Sequence, residues 1–194
     1  MVRTISQEKR EKYLTSALRL FVQKGIQNTT TAEIAVDAGT ASGTLFLYFP
    51  TKQNLIDELL VKIAREYSDT IKLKLSPALS AREALFTIWS GSIRWLMDHI
   101  EAYQFQQQVR DTEMVTEAVN QETALYFGFY FEAIQKGLQE GSIKPYRADL
   151  IGGFLYQGIA AVMGLIIMEP DADIHWKLIE QGFEIFWNGI KTED

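Results

Sequence analysis

The chain has 194 residues, 47% of them hydrophobic and 23% charged, with 4 prolines and no cysteine. This balance belongs to a folded globular protein and excludes a disordered chain, while the missing thiols exclude disulfides, thiolate metal sites and cysteine nucleophiles. A net charge of -6 argues against a protein that coats nucleic acid indiscriminately, but the charge is uneven: residues 1–60 hold 7 basic and 6 acidic side chains, the remainder 12 and 19.

The opening segment through Lys12 places charge where a secretory signal needs an apolar stretch, so export is not expected. From there apolar residues recur at helical spacing and no stretch alternates like a strand, which predicts an all-α fold of about nine helices. Tyr13, Leu14, Ala17, Leu18 and Phe21 lie on one face of a first helix over 7–24, stopped by Gly25. Thr30 to Glu33 form a capping box opening a short helix to Ala38, after which Gly39 turns the chain. A third helix follows at once, with Thr40 or Ser42 as its cap and Phe49 near its end. Pro50 stops it, and Thr51 caps a long helix from Lys52 to about Leu75.

Ser80 to Glu83 form a second capping box, opening a helix that carries Leu85, Phe86, Trp89, Ile93 and Leu96. Further helices are expected over 102–109, over 113–139 with Thr112 as cap, over about 146–168, and over about 174–190 with Asp171 or Asp173 as cap. The span from Leu150 to Met168 is uncharged and long enough to cross a bilayer. However, Gln157 lies near its centre and Asp149 and Glu169 flank it without a basic cluster, so a helix buried in a core or subunit interface is expected, and no membrane.

Two short helices joined by a tight glycine turn and packed on a preceding helix make a helix-turn-helix. Its second helix can enter a major groove while the first crosses the phosphate backbone. Thr29, Thr30, Thr31, Thr40, Ser42 and Thr44 cluster at the helix starts, Gly43 permits close backbone approach, and Tyr48 and Lys52 offer a phenol and an ammonium to phosphates. The stretch from Thr40 through Ala41 to Leu47 is the expected base-reading face. Small polar residues of this kind also cap helices in proteins that bind no DNA.

The run from Glu11 to Lys24 and Gly25, then Thr30, Thr31, Ile34, Ala35, Ala38 and Gly39, then Gly43, Thr44, Leu45, Phe46, Tyr48, Phe49, Lys52 and Leu55, resembles the N-terminal signature of the tetracycline-repressor (TetR) family in uninterrupted register. The resemblance implies a dimeric one-component transcription repressor. Residues 1–50 would bind a double-stranded DNA operator, and residues 51–194 would bind a small-molecule effector and form the homodimer. The missing cysteines fit a reducing cytoplasm, and no cofactor is expected. The chain departs from the signature at Ala41-Ser42, where Ser-Lys is usual, at Phe46, where tyrosine is usual, and at Pro50-Thr51, where a more basic pair is usual. Fewer cations predict weaker nonspecific affinity and a shallower salt slope.

Eighteen of the 23 aromatic residues lie after residue 60, including the run from Tyr126 to Phe131. They point to an aromatic-lined effector cavity with Tyr67, Phe86, Trp89, Trp95, Phe105, Phe127 and Phe131 as walls and Arg110, His99 or tyrosine hydroxyls as anchors. Large rings also fill cores by default. In the uncharged span, Phe154, Leu155, Ile159 and Val162 form an apolar stripe, with Gly158 among small residues that leave room for a neighbour. Phe183 and Phe186 of the last helix complete half of a four-helix dimer bundle. No metal motif, phosphate loop or catalytic constellation is present, so an enzyme is not expected. The alternative is a helical sensing protein of this fold without operator recognition.

Overall fold

The computed structural model describes residues 6–110 and 112–193; residues 1–5, part of the charged opening segment, lie outside them. The fold is all-α: the described residues form α1 (Gln7–Lys24), α2 (Thr31–Asp37), α3 (Ser42–Leu45), α4 (Lys52–Lys72), α5 (Ala81–Asp98), α6 (Ile100–Val109), α7 (Glu117–Tyr126), α8 (Gly128–Gln139), α9 (Ala148–Met168) and α10 (Ala172–Ile190). A lone antiparallel bridge pairs Ile143 with Lys191.

Several boundaries follow from caps. The Ser6 hydroxyl accepts from the Lys9 N–H at the start of α1. Thr51 accepts from the Asn54 N–H at 3.1 Å to open α4, and Asp171 accepts from the Asp173 N–H to open α10. The helix expected over 113–139 is instead two. Thr112 donates its hydroxyl back to the Val109 carbonyl at 2.6 Å, and Thr116 caps α7, accepting from the Val119 N–H. At Phe127 the backbone leaves helical values (φ -101°, ψ 11°), its N–H bonding the Ala124 carbonyl in a tighter turn before Gly128 restarts the ladder. The tenth helix arises from this break.

The chain forms two compact units. The first comprises the chain up to Ala64 together with His99–Thr123, and the second Arg65–Asp98 with Ala124 onward. In the first, α1 packs against α2 and α6, and α2 against α3. Tyr13, Phe21, Ile34, Leu45, Phe49 and Leu55 are fully buried there, and Phe105 of α6 stacks on Phe21 with ring centroids 5.9 Å apart. In the second, α9 and α10 pack on α5, and α8 packs on both α5 and α9.

Trp89 is the keystone of the second unit. Its ring is 1% exposed and its indole N–H donates to the Ile179 carbonyl at 2.8 Å. The ring reaches α9 at Gly158 and α10 at Gly182: a Cβ on Gly158 would lie 2.7 Å from Trp89 Cζ3, and one on Gly182 2.8 Å from Trp89 Cζ2 and 2.6 Å from Val162 Cγ2. The room expected at Gly158 for a neighbouring chain is therefore filled from within.

α9 is long and apolar enough to cross a membrane, yet Ile151, Leu155, Ile159, Val162, Met163 and Ile166 are buried against the rest of the unit. Its other side leaves Leu150, Phe154, Leu165 and Met168 exposed. The expected interface set divides accordingly. Leu155, Ile159, Val162, Phe183 and Phe186 are core residues of the single chain, because the inward phase of α9 is taken by α5, α8 and α10, whereas Phe154 is outside at 65% exposure.

Candidate nucleic-acid interface

The first unit builds its exposed end from two linked turns. Thr30 accepts from the Glu33 N–H at 3.2 Å while Glu33 accepts from the Thr30 N–H at 2.8 Å, so the capping box of α2 is complete. Lys24 adds an ion pair to the same carboxylate at 2.8 Å. The Lys24 and Thr30 hydrogen bonds hold the Glu33 carboxyl at about 2, below its ordinary 4.5. Since the folded value is depressed, the contribution of this group to stability should be complete above about pH 4.5 and should disappear as pH falls through about 2. A carboxyl-detected NMR titration placing its midpoint near 4.5 would contradict this.

Gly39, at φ 71°, makes the turn between α2 and α3 in a conformation that costs other residues. Neither Thr40 nor Ser42 caps α3: Ala41 holds the cap position without a side-chain bond. The Thr40 hydroxyl instead donates to the Ala35 carbonyl at 3.2 Å and accepts from Tyr13 at 2.8 Å, fixing the turn to α1. α3 itself is one turn, continued by tighter turns through Phe49.

Thr30, Ala41, Gly43 and Leu47 are exposed, whereas Thr31, Ser42, Thr44, Tyr48 and Lys52 are half-buried. The Tyr48 hydroxyl accepts from the Ser6 N–H at 3.1 Å. The Lys52 ammonium donates to the Ile26 carbonyl and lies 5.9 Å from the Phe21 ring centre, and its partial burial draws its pKa down. Lys52, expected as a phosphate contact, is thus engaged in holding the α1–α2 loop. Elsewhere in the first unit Arg10 pairs with Glu58, Lys12 with Glu8, Arg19 with Asp37 and Lys62 with Glu11.

Sequence reasoning missed Gln108. From α6, its side-chain carbonyl accepts from the Ile26 N–H at 3.1 Å and its amide donates to the Phe21 carbonyl at 2.9 Å. With Lys52 on the Ile26 carbonyl, both ends of residue 26 are held by side chains. A glutamine in a helix carries no pattern that announces which backbone it meets.

The expected effector residues fall into separate groups. Phe105 and Arg110 belong to the first unit and the other six to the second, so no cavity within either unit is lined by all eight. Tyr67 meets Trp95 edge-on at 5.3 Å and Phe127 at 5.7 Å. Its buried hydroxyl bonds Ser92 and Tyr130, and burial pushes both phenols up. Phe86 and Trp89 instead pack with Phe183. Phe131 is half exposed. An apolar groove of about 580 Å³ is lined by Trp89 of this set, by Phe154, Gly158 and Phe186 of the expected interface, and by Leu150, Gln157 and Ile185, among others.

Residues 14–59, which contain the whole α2–α3 element, match the family model of bacterial regulatory proteins, tetR family. Over 158 residues, 77% of this chain and 76% of the relative, the chain is 27% identical to the HTH-type transcriptional regulator LuxR of Vibrio harveyi. It is 25% identical over 142 residues (71% and 73%) to the fatty acid metabolism regulator protein of Bacillus subtilis strain 168. Among solved structures, a tetR family transcription regulator from Shewanella sp. PV-4 superposes with a TM-score of 0.86 at 27% identity, covering 95% of this chain and 99% of that one.

Proposed function

We propose that the chain, whose residues 14–59 match the family model of bacterial regulatory proteins, tetR family, is a ligand-responsive repressor that binds a palindromic operator as a homodimer and leaves it when a small apolar effector binds. The observation that carries this is the exposed α3 surface within the matched helix-turn-helix, held to α1 by Thr40 and Tyr13. Residues 1–50 form the DNA-binding part and residues 51–194 the effector and dimer part. Thr30, Thr31, Thr44 and Tyr48 face phosphates, and the exposed positions of residues 40–47, Ala41, Gly43, Phe46 and Leu47, face bases. Pairing of cations of the first unit with carboxylates supports a modest nonspecific affinity.

A largely apolar effector is in keeping with the aromatic richness of the second unit and with the likeness to a fatty acid metabolism regulator protein. The effector acts by favouring a head spacing that the operator does not fit, carried along α4, which is continuous from one unit into the other. The protein acts in the cytoplasm and catalyses no reaction.

Selection of binding sites from random duplexes with the full chain tests this reading. The expected product is an inverted repeat with half-site centres about 34 Å, or a multiple of that, apart. Recovery of no inverted repeat would leave the sensing protein without operator recognition as the better reading.

A further inference from the structure

From Ala38 to Thr51 no residue carries a charge or a carboxamide. The reading element therefore has neither the arginine or lysine that grips guanine O6 and N7 nor the asparagine or glutamine that grips adenine N6 and N7. Three of its hydroxyls are engaged inside the protein: Thr40 with Ala35 and Tyr13, Tyr48 with Ser6, and Thr51 with Asn54. Ser42 and Thr44 remain half-buried, and such hydroxyls bond donors and acceptors alike.

What the element offers outward is apolar. Leu45 and Phe49 are fully buried, while Gly43 and Leu47, one turn apart, lie on the opposite side; Leu47 is 57% exposed and Phe46 beside it 46%. We infer that α3 and the turns that continue it select the operator through the C5-methyl groups of thymine, with Leu47, two residues beyond α3, as the specificity-determining residue and Phe46 flanking it. This rests on the operator reading given above. The thymine methyl is the apolar group that base edges present in the major groove, and contact with it removes both partners from water. The ligand class is thus a duplex half-site with thymine, on either strand, beneath Leu47.

The test uses the full-length protein at one fixed salt concentration and an operator recovered by selection. Each thymine is replaced in turn by deoxyuridine, which deletes the methyl and keeps every hydrogen-bonding group. Binding should weaken about fourfold per methyl at one or two positions in each half-site. In Leu47→Ala that loss should vanish, with the circular dichroism spectrum unchanged because Leu47 is exposed. Replacing purines by their 7-deaza analogues should change affinity by less than about twofold, since no side chain here is built to grip N7. Specific binding that ignores every uracil substitution, or a loss that persists in Leu47→Ala, overturns the inference. A selection that returns no common sequence removes the repressor reading itself, and this inference with it.

Discussion

Ile185→Asp should turn the protein from a dimer into a folded monomer and weaken operator binding by about 10²–10⁴-fold, although no residue of the helix-turn-helix is touched. Ile185 is 78% exposed on α10 and lines the groove that also holds Phe154, Leu150 and Gly189. Apolar side chains of this size clustered on one face mark a surface that is covered in the working protein, and a twofold axis lets the same groove serve both copies. A carboxylate placed there stays hydrated in the monomer and would be stranded without a partner in the dimer. The loss in DNA affinity follows because a dimer delivers its second reading head at a high effective concentration and a monomer does not. Phe154→Asp should behave in the same way. Sedimentation together with operator titration decides the matter: a wild-type chain that is monomeric at micromolar concentration, or an Ile185→Asp dimer with unaltered affinity, would refute the assignment of this face. Gly158→Glu is unsuited to the question, since it collides with Trp89 and damages the fold directly.

Trp89→Ala should lower the unfolding free energy by about 3–5 kcal/mol. The ring fills the junction of α5, α9 and α10 and packs against Phe183 and Phe186, with centroids 6.1 and 6.0 Å away. Gly158 and Gly182, which face the ring from α9 and α10, carry no side chain to fill the volume left behind. The reverse error should also be costly. Gly182→Ala forces a methyl into Val162 and Trp89, and overpacking of this kind costs about 1–3 kcal/mol. Urea titrations in which either variant keeps the wild-type midpoint would show that the junction is looser than its geometry.

Helix signals that depend on a few neighbouring residues were legible in the sequence. The Thr30–Glu33 box, the Gly39 turn and the Thr51 cap are local chemistry, and each stands where the pattern placed it. Tertiary choices were not legible. The aromatic run from Tyr126 to Phe131 is apolar on every side, so it contains no phase from which the break at Phe127 could be read. α9 is apolar nearly all round for the same reason: its own sequence does not distinguish Leu155, which is buried, from Phe154, which is exposed, and only packing against α5, α8 and α10 decides. Within the candidate interface, exposed positions such as Ala41, Gly43 and Leu47 followed from the motif. The inward turn of Thr40 and Lys52 did not, because short-range spacing does not record that Tyr13 and Ile26 lie within reach.

The placement of α6 bears on how reading heads are exchanged between relatives. Phe105 and Gln108 contact Phe21 and Ile26 from a segment 82 or more positions downstream, so the unit that carries α2 and α3 is not contiguous in the chain. A chimera made by a single crossover after α3 or early in α4 would import a foreign α1 against the native α6. It would lose the stacked ring unless the foreign α1 carried an aromatic residue at position 21, whereas Gln108, which stays with α6, bonds backbone groups that a foreign α1 also presents. Transplanting this head requires two grafts, the N-terminal segment and the stretch from His99 to Thr123, and recombination between relatives faces the same constraint.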